Sequence, residues 1–213
     1  MKVGTDGVLL GAWAPGGKRI LDVGSGTGLI SLIMAQRFPE AQVLGIDMDG
    51  EACEEAAENV AASPFADRVK IECCRLQDYH SAESFDAIVS NPPFFLNSLK
   101  NPDSKRTMAR HTDSLPSEIF QGSKMLLSDD GVFSVIVPSE VLEVVVSEAC
   151  MLGFYLVRQC GVKTVERKQP KRYLLSFAKH RYNGMENTIK TMTDSEGNRS
   201  EWYAKITEEF YVR

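Results

Sequence analysis

The stretch Leu21-Asp22-Val23-Gly24-Ser25-Gly26-Thr27-Gly28-Leu29 ends a short apolar run and leads into a helical pattern. Its three glycines let the backbone pass close under a ligand and adopt positive φ angles between a first strand and a first helix. Asp47 ends the second apolar run, where an acid in a doubly wound sheet can accept both hydroxyls of a ribose. The stretch therefore predicts an α/β fold with a nucleoside-binding crevice.

Apolar runs and helical patterns alternate along most of the chain. We predict strands at residues 19–23, 42–46, 69–73, 85–90, 132–137, 155–162 and 173–178. Strands separated by helices imply right-handed crossovers and a doubly wound, mostly parallel sheet, here with seven strands. Because only a short loop joins the last two strands, we expect the last strand to be antiparallel.

Length and composition fit one domain with a full core: 213 residues, 43% of them hydrophobic and 25% charged. We assign residues 1–180 to the α/β domain and 181–213 to a small C-terminal appendage packed on it. In the appendage we expect a strand and a short helix, docked by Trp202, Tyr203, Phe210 and Tyr211. There is no apolar run of about 18 residues and no secretory signal, so we expect a cytoplasmic protein. We assume a monomer.

Cysteine and charge narrow the function classes. Five cysteines without a C-x-x-C pair, and three scattered histidines, argue against a disulfide framework and predict no metal site. A net charge of −5 is not typical of a general nucleic-acid binder. A local basic segment is nevertheless present, and we predict that it contacts RNA, the alternative being a solvated loop. Its cations are Lys163, Arg167, Lys168, Lys171 and Arg172.

The glycine spacing separates two classes of cofactor. A dinucleotide site needs G-x-G-x-x-G, whereas this chain has G-x-G-x-G with Leu29 in the place of the third dinucleotide glycine. Asp22, at the mouth of the loop, would repel a pyrophosphate but can help to hold a cationic amino-acid group. Both features favour S-adenosylmethionine, which carries an ammonium and a sulfonium. Asp78, after the third strand, could accept from its adenine amine, the alternative being a loop-capping acid.

The predicted cofactor-binding residues are therefore Asp22, Gly24, Gly26, Gly28, Asp47 and Asp78. This pattern resembles class I methyltransferases over about residues 18–178.

The fourth predicted strand ends in Ser90-Asn91-Pro92-Pro93-Phe94-Phe95. The two prolines stop the strand and stiffen it, so the Asn91 side chain and the Pro92 carbonyl project from the carboxyl end, where ligands bind in open α/β sheets. Two neutral acceptors there can draw a conjugated NH₂ toward tetrahedral geometry and stabilise positive charge on its nitrogen. Phe94 would stack on a base flipped into the pocket. We predict Asn91, Pro92, Pro93 and Phe94 as the catalytic residues, the alternative being a simple turn.

Asn91 to Phe94 resemble the motif of methyltransferases that act on adenine N6, guanine N2 or glutamine nitrogen. Phenylalanine in the fourth position suits a nucleobase, and guanine-modifying relatives commonly follow it with histidine, where this chain has Phe95. A closer resemblance is carried by residues 1–13 (MKVGTDGVLLGAW), 106–111 (RTMARH) and 202–211 (WYAKITEEFY). These segments are similar to the bacterial tRNA(Val) adenine-N6 methyltransferases, which modify the adenosine beside the anticodon.

That resemblance covers nearly the whole chain and implies site residues of its own. By implication Thr5 and Asp6 lie near the cofactor. The resemblance likewise implies that Arg106, Arg110 and His111 lie near the RNA. From the charge of the basic segment we predict the same of Lys168, Lys171 and Arg172. Members of that family usually carry a short segment before the first of these stretches. If it helps to bind RNA, we expect weak activity from a chain that begins at Met1.

The leading hypothesis is an enzyme that methylates adenine N6 in a tRNA. Two alternatives keep the fold and the asparagine motif but act on guanine N2 in ribosomal RNA or on glutamine N5 in a protein. A further alternative is a degenerate module that binds cofactor or RNA without chemistry. The intact set of glycines and acids, together with Asn91, argues against it.

Overall fold

The computed structural model of the protein describes residues 4–93 and 114–210. Along the described chain the helices and strands are α1 (Thr5–Trp13), β1 (Arg19–Val23), α2 (Leu29–Arg37), β2 (Gln42–Asp47), α3 (Gly50–Ala61), β3 (Val69–Cys73), β4 (Phe85–Ser90), α4 (Ser114–Leu126), β5 (Leu127–Pro138), α5 (Leu142–Met151), β6 (Tyr155–Val165), β7 (Arg172–Ala178), β8 (Glu186–Thr193) and α6 (Glu201–Thr207). Short 3-10 turns precede β4 (Leu76–Asp78) and α5 (Ser139–Val141).

The described strands form one mixed sheet in the order β3-β2-β1-β4-β5-β7-β6-β8. β1 to β5 pair in parallel, whereas β7 runs antiparallel to both β5 and β6. The prediction of a doubly wound, mostly parallel sheet with an antiparallel strand near its end is confirmed. The sheet has one strand more than the seven predicted, because β8 pairs in parallel with β6.

We call the side on which the parallel strands end the carboxyl edge. Because β7 is antiparallel, it begins at this edge, with Arg172 opposite Pro138 at the end of β5. The loop between β6 and β7 therefore lies on the same side of the sheet as the glycine-rich loop after β1.

Two layers of helices bury the sheet. One face packs in a core cluster with α1 and α2, through residues such as Leu10 and Met34, and also takes in Tyr203 of α6. The other face packs with α4, α5 and Leu76. On that side four phenylalanine rings form a cluster in which the centroids of neighbouring rings are 5.1–6.3 Å apart, mostly edge to face: Phe120, Phe133, Phe154 and Phe177. The helices on the two faces thus enclose the sheet from both sides.

The sequence patterns do not predict α1, because its residues from Gly7 to Trp13 are all buried and it therefore lacks an amphipathic alternation. Gly7 and Gly11 lie one turn apart and face α2. A Cβ atom on Gly11 would lie 2.8 Å from Cγ2 of Ile33, so only glycine allows this close approach. The contact fixes the N-terminal segment against the rest of the fold.

The C-terminal segment supplies the strand and the short helix that its sequence predicts, β8 and α6. Ser200 caps α6 by accepting a hydrogen bond from the Tyr203 backbone N–H at 3.1 Å. Tyr203 is buried, and Trp202 packs against the same core cluster as Trp13. Tyr211 lies outside the described residues, and the domain boundary at residue 180 stays a prediction.

Candidate active site

A cavity of about 360 Å³ opens at the carboxyl ends of β1 to β4. Its wall includes Gly24 after β1, Asp47 and Met48 at the end of β2, residues 74–77 after β3, residues 90–93 at the end of β4, and Glu118 with Ile119 of α4. A larger hollow of about 540 Å³, near Tyr155 and Tyr182, lies where β6 begins, away from the carboxyl edge. We assign the site to the smaller cavity, because ligands of open α/β sheets bind at the carboxyl ends of the strands.

The glycine-rich loop folds tightly at the foot of this cavity. Gly24, Gly26 and Gly28 have φ angles of +72°, +54° and +79°, in the left-handed region that side chains disfavour. The backbone N–H groups of Gly24 and Ser25 both donate to the carbonyl oxygen of Ile46, at 2.9 and 3.0 Å. A Cβ atom on Gly24 would meet no heavy atom within 4 Å, so the backbone there borders open space. The loop thus presents bare backbone to the cavity, and the binding of a cofactor there stays a prediction.

Asp47 links the loop to β2. One of its carboxylate oxygens, Oδ2, accepts from the Gly26 N–H at 2.8 Å, and the other, Oδ1, accepts from the Asp49 N–H at 3.0 Å. Each oxygen has a second lone pair, so the fixed carboxylate can still accept the two hydroxyls of a ribose. Asp47 lies in the cavity wall, and its role toward a ribose stays a prediction.

The asparagine motif faces this loop across the cavity. Ser90 is buried, and its hydroxyl donates to the carbonyl oxygen of Val23 at 2.8 Å, which ties the end of β4 to the end of β1. Asn91, Pro92 and Pro93 follow and line the cavity. Ser90 is a positioning residue that the sequence analysis misses. Phe94, with Arg106, Arg110 and His111, lies outside the described residues.

The structure corrects the position of Asp22. Its side chain is fully buried beneath the glycine-rich loop rather than at its mouth, and it does not line the cavity. Its Oδ2 accepts from the Ser31 hydroxyl at 2.7 Å, while its Oδ1 is buried without a hydrogen-bond partner. Burial raises the pKa of this carboxyl to about 7, against the Ser31 hydrogen bonds that lower it, and the charge of Asp47 raises it further.

Three other predicted cofactor residues are outside the wall of the cavity. Asp78 is exposed, one position beyond Gln77, the last wall residue of its segment. Thr5 is the exposed first residue of α1. Asp6 forms an ion pair with Arg172, with 2.8 Å between Oδ2 and Nε. Their roles toward the cofactor stay predictions.

The predicted RNA-binding cations between residues 163 and 172 lie at the carboxyl edge. Residues 163–172, which we call the basic loop, join the end of β6 to the start of β7. The backbone N–H of Ser139, just after β5, donates to the Lys171 carbonyl at 3.2 Å and holds the loop beside the end of that strand. Arg167, Lys168 and Lys171 are exposed, and Arg172 is half-buried. The structure therefore brings this loop to the edge that carries Asn91.

Several residues of the cavity wall were not predicted from the sequence. Met48 is 72% exposed, an unusual state for a large apolar side chain, and suits the flat face of a base. Arg75, Gln77 and Glu118 add polar groups to the same wall. Met48 could have been predicted, because it directly follows Asp47 in the sequence. The others are recognisable only once the turn after β3 is seen to pack against α4.

The described residues contain no group of three or more histidine, cysteine or acidic side chains that could hold a metal ion. The five cysteines, each within the described part of the chain, are free thiols. No helix in residues 4–93 and 114–210 is long and apolar enough to cross a membrane.

Comparisons with known proteins point to one family. The profile of a family described as "Methyltransferase domain" matches residues 15–194. The chain is 44% identical to the tRNA1(Val) (adenine(37)-N6)-methyltransferase of Bacteroides thetaiotaomicron, over 100% of this chain and 91% of that protein. It is 46% identical to the protein of the same name from Phocaeicola vulgatus, with the same coverage of 100% and 91%.

A similar fold is found among solved structures. A predicted O-methyltransferase from Agrobacterium tumefaciens superposes with a TM-score of 0.76 and 17% identity over 96% of each chain. At that level of identity the likeness shows the fold alone.

Proposed function

Because this chain belongs to the family of the tRNA1(Val) (adenine(37)-N6)-methyltransferases, we propose that it transfers a methyl group from S-adenosylmethionine to the N6 amine of an adenine in tRNA. The substrate is tRNA(Val), at the adenosine next to the anticodon. A cytoplasmic enzyme fits a tRNA substrate.

One observation carries the proposal: a single cavity brings the bare backbone of Gly24 and the carboxylate of Asp47 together with Asn91 and Pro92. The first pair suits a nucleoside with a charged tail, and the second suits a conjugated NH₂ group. A binding module would have no need for the second pair beside the first. The cavity therefore supports group transfer between two ligands.

The residues present fit the cofactor. The volume of about 360 Å³ lies within the range of about 300–1,000 Å³ that small-molecule sites show. Asp47 offers fixed acceptors for the ribose, and Met48 offers an apolar surface to the adenine. The open space above Gly24 leaves room for the amino-acid group. When bound, S-adenosylmethionine supplies an electrophilic methyl group on a positively charged sulfur.

On the substrate side, the Asn91 side-chain oxygen and the Pro92 carbonyl accept one N–H each from the N6 amine. They draw the amine out of the plane of the ring and make its lone pair available for attack on the methyl carbon. Because both acceptors are neutral and fixed, they stabilise the positive charge that builds on nitrogen at little reorganisation cost. With the cofactor bound, the amine nitrogen would take the methyl group as the bond from that carbon to sulfur breaks, and it would then lose a proton to solvent. Catalysis is mainly positioning.

The basic loop supports an RNA substrate. Its cations lie at the carboxyl edge, where β5 and β7 meet, and β5 is the neighbour of the strand that carries Asn91. Lys168, Lys171 and Arg172 can neutralise backbone phosphates while a base enters the cavity, and phosphate contacts of this kind set orientation more than sequence preference.

The test is to offer labelled S-adenosylmethionine in parallel to unmodified bulk tRNA, ribosomal subunits and release factors. Labelled RNA is digested to nucleosides and labelled protein to peptides, and both are analysed by mass. We expect label in N6-methyladenosine from tRNA, and a tRNA(Val) transcript with its anticodon-adjacent adenosine replaced should take up none.

Label in N2-methylguanosine or in methylglutamine would keep the fold and overturn the substrate. A chain that binds S-adenosylhomocysteine but labels none of the three would instead be the degenerate module.

A further inference from the structure

Two polar side chains in the cavity wall have no part in the reaction as described so far. Gln77 lies in the 3-10 turn after β3, and Glu118 lies in α4. The Gln77 side-chain nitrogen Nε2 donates to Oε2 of Glu118 at 2.7 Å. We propose that Gln77 recognises the 6-amino group of the cofactor's adenine, and that Glu118 sets the orientation in which it does so. The inference rests on the proposed function, because it deepens the cofactor site.

The partner of Gln77 fixes its amide orientation. An amide presents an oxygen at one end and an NH₂ group at the other, and the two can exchange places by rotation. A carboxylate can only accept, so the NH₂ end must face Glu118. The oxygen, Oε1, is then the end left for a ligand, and it is an acceptor.

An acceptor at this place distinguishes adenine from its 6-oxo counterpart, hypoxanthine. The 6-amino group of adenine can donate an N–H to Oε1, whereas the 6-oxo group would bring two oxygens together. A site built for a donor rejects the analogue that lacks one, because the polar group of the site loses its partner.

The position of Gln77 relative to Asp47 supports this role. The backbone N–H of Cys74 donates to the Asp47 carbonyl at 2.8 Å, so the segment 74–77 begins beside the predicted ribose acceptor. Met48 follows Asp47 and lines the same cavity. A nucleoside whose ribose lies on Asp47 and whose base lies on Met48 therefore extends its edge toward this segment.

The neighbours of Gln77 are less suitable acceptors. Arg75 also lines the cavity but can only donate, so it cannot accept an N–H from the amine. Asp78 does not line the cavity. Along this segment, Gln77 is thus the wall residue whose side chain has an acceptor to offer. It would take the part that the sequence analysis gives to Asp78.

The experiment measures binding by calorimetry, without RNA, of S-adenosylhomocysteine and of S-inosylhomocysteine, its 6-oxo analogue. We expect the unaltered chain to prefer the amino form by about tenfold or more. In Gln77→Ala, S-adenosylhomocysteine should bind about tenfold more weakly and the preference should fall to near one. Gln77→Met, which keeps the length without the polar atoms, should behave in the same way.

Glu118→Ala tests the role of Glu118 more specifically, because it should change the affinities for the two compounds differently. With its partner removed, the Gln77 amide is free to rotate and can donate to the 6-oxo group. S-adenosylhomocysteine should therefore bind within about threefold of its original affinity, while S-inosylhomocysteine binds more tightly. A variant that merely damaged the site would weaken both. Gln121→Ala, an exposed glutamine of α4 outside the cavity wall, is the matched control and should change neither.

The outcomes separate this inference from the proposed function. Binding of S-adenosylhomocysteine without any preference for the amino form would overturn the inference alone. The same holds if Asp78→Asn removed the preference while Gln77→Ala and Gln77→Met retained it. If the unaltered chain bound neither compound, the proposed function would itself lose its cofactor, and the inference with it.

Discussion

The glycine-rich loop and the basic loop lie at the same edge of one sheet, yet they are built by different means. In the first, backbone N–H groups donate hydrogen bonds of 2.8–3.0 Å, one of them to the Asp47 carboxylate, and positive φ angles shape the turn. In the second, exposed cations surround one ion pair, that between Arg172 and Asp6. From this difference we expect the cofactor to be held by shape and the RNA to be attracted by charge.

The two regions also differ in the sign of their charge. Around the cavity the ionisable groups are mostly acidic and include Asp47, Asp49 and Glu118, which suits a cofactor with two positive groups. At the basic loop the lysines and arginines dominate, which suits phosphate. A net charge of −5 is the sum of these opposed regions, so it says little about either ligand.

The largest effect that would test the comparison is expected on the cavity side. Asn91→Ala removes one of the two acceptors for the amine, and each fixed group of this kind typically contributes about 10²–10³-fold to turnover. We expect kcat to fall by about 10³-fold, while the dissociation constant of S-adenosylhomocysteine stays within about twofold. Single-turnover methylation of tRNA and calorimetry measure the two quantities.

The control is Asn187→Ala, which alters an exposed asparagine of β8 and should leave both quantities unchanged. A loss of cofactor affinity in Asn91→Ala as large as the loss of turnover would contradict the division of the cavity into two halves.

The second effect concerns the charge beneath the glycine-rich loop. Burial raises the pKa of Asp22 from about 3.8 to about 7. Between these values the folded chain holds a proton that the unfolded chain lacks. The free energy of unfolding therefore falls as the pH rises from about 4 to about 7, and this contribution is level above that.

Asp22→Asn stays neutral at every pH and should lack this contribution. Relative to the unaltered chain, the variant should gain about 2–4 kcal/mol of unfolding free energy between pH 4 and pH 8. Urea unfolding at several pH values gives the comparison. Parallel pH profiles for the two proteins would show that folding does not raise the pKa of Asp22, contrary to what its burial implies.

The third effect tests the basic loop. Replacing Lys168, Lys171 and Arg172 together by glutamine should weaken tRNA binding by about tenfold or more at physiological salt. The slope of log K against log salt should become shallower by about 2–3, since each phosphate contact contributes about 0.7–0.9. Filter binding over a salt series measures both.

A matched triple variant at Lys70, Arg181 and Lys205 changes the net charge equally and lies elsewhere on the protein. Lys70 is near the start of β3, Arg181 follows the end of β7, and Lys205 is in α6. If both triples weakened tRNA binding to the same extent, overall charge rather than the basic loop would attract the RNA.

The same contrast explains which parts of the fold and of the site could be predicted from the sequence. The tight turn from Gly24 to Gly28 and the position of Asp47 at the end of β2 could be predicted because neighbours along the chain determine them, and their roles toward a cofactor stay predictions. Asn91 was placed because prolines end its strand. Helix α1 was not predicted, because a helix that is buried on all sides shows no alternation of polar and apolar residues. The predicted position of Asp22 at the mouth of the loop was wrong, because its burial depends on how α2 packs over β1. Gln77 and Glu118 meet only in three dimensions, 41 positions apart.

The smallest effect concerns Asp6, for which the family resemblance and the structure give different positions. The family resemblance implies that Asp6 lies near the cofactor, whereas the structure pairs it with Arg172 outside the cavity wall. Both side chains are more than a third exposed, at 36% and 38%, so the pair should contribute less than about 1 kcal/mol to stability. We expect Asp6→Asn to lower the free energy of unfolding by no more than that and to leave S-adenosylhomocysteine affinity within about twofold. A different result would be a tenfold loss of that affinity on Asp6→Asn, both in the unaltered chain and in a chain that already carries Arg172→Gln. The loss could then not come from the broken ion pair, so Asp6 would belong to the cofactor site and the boundary between the two regions would move.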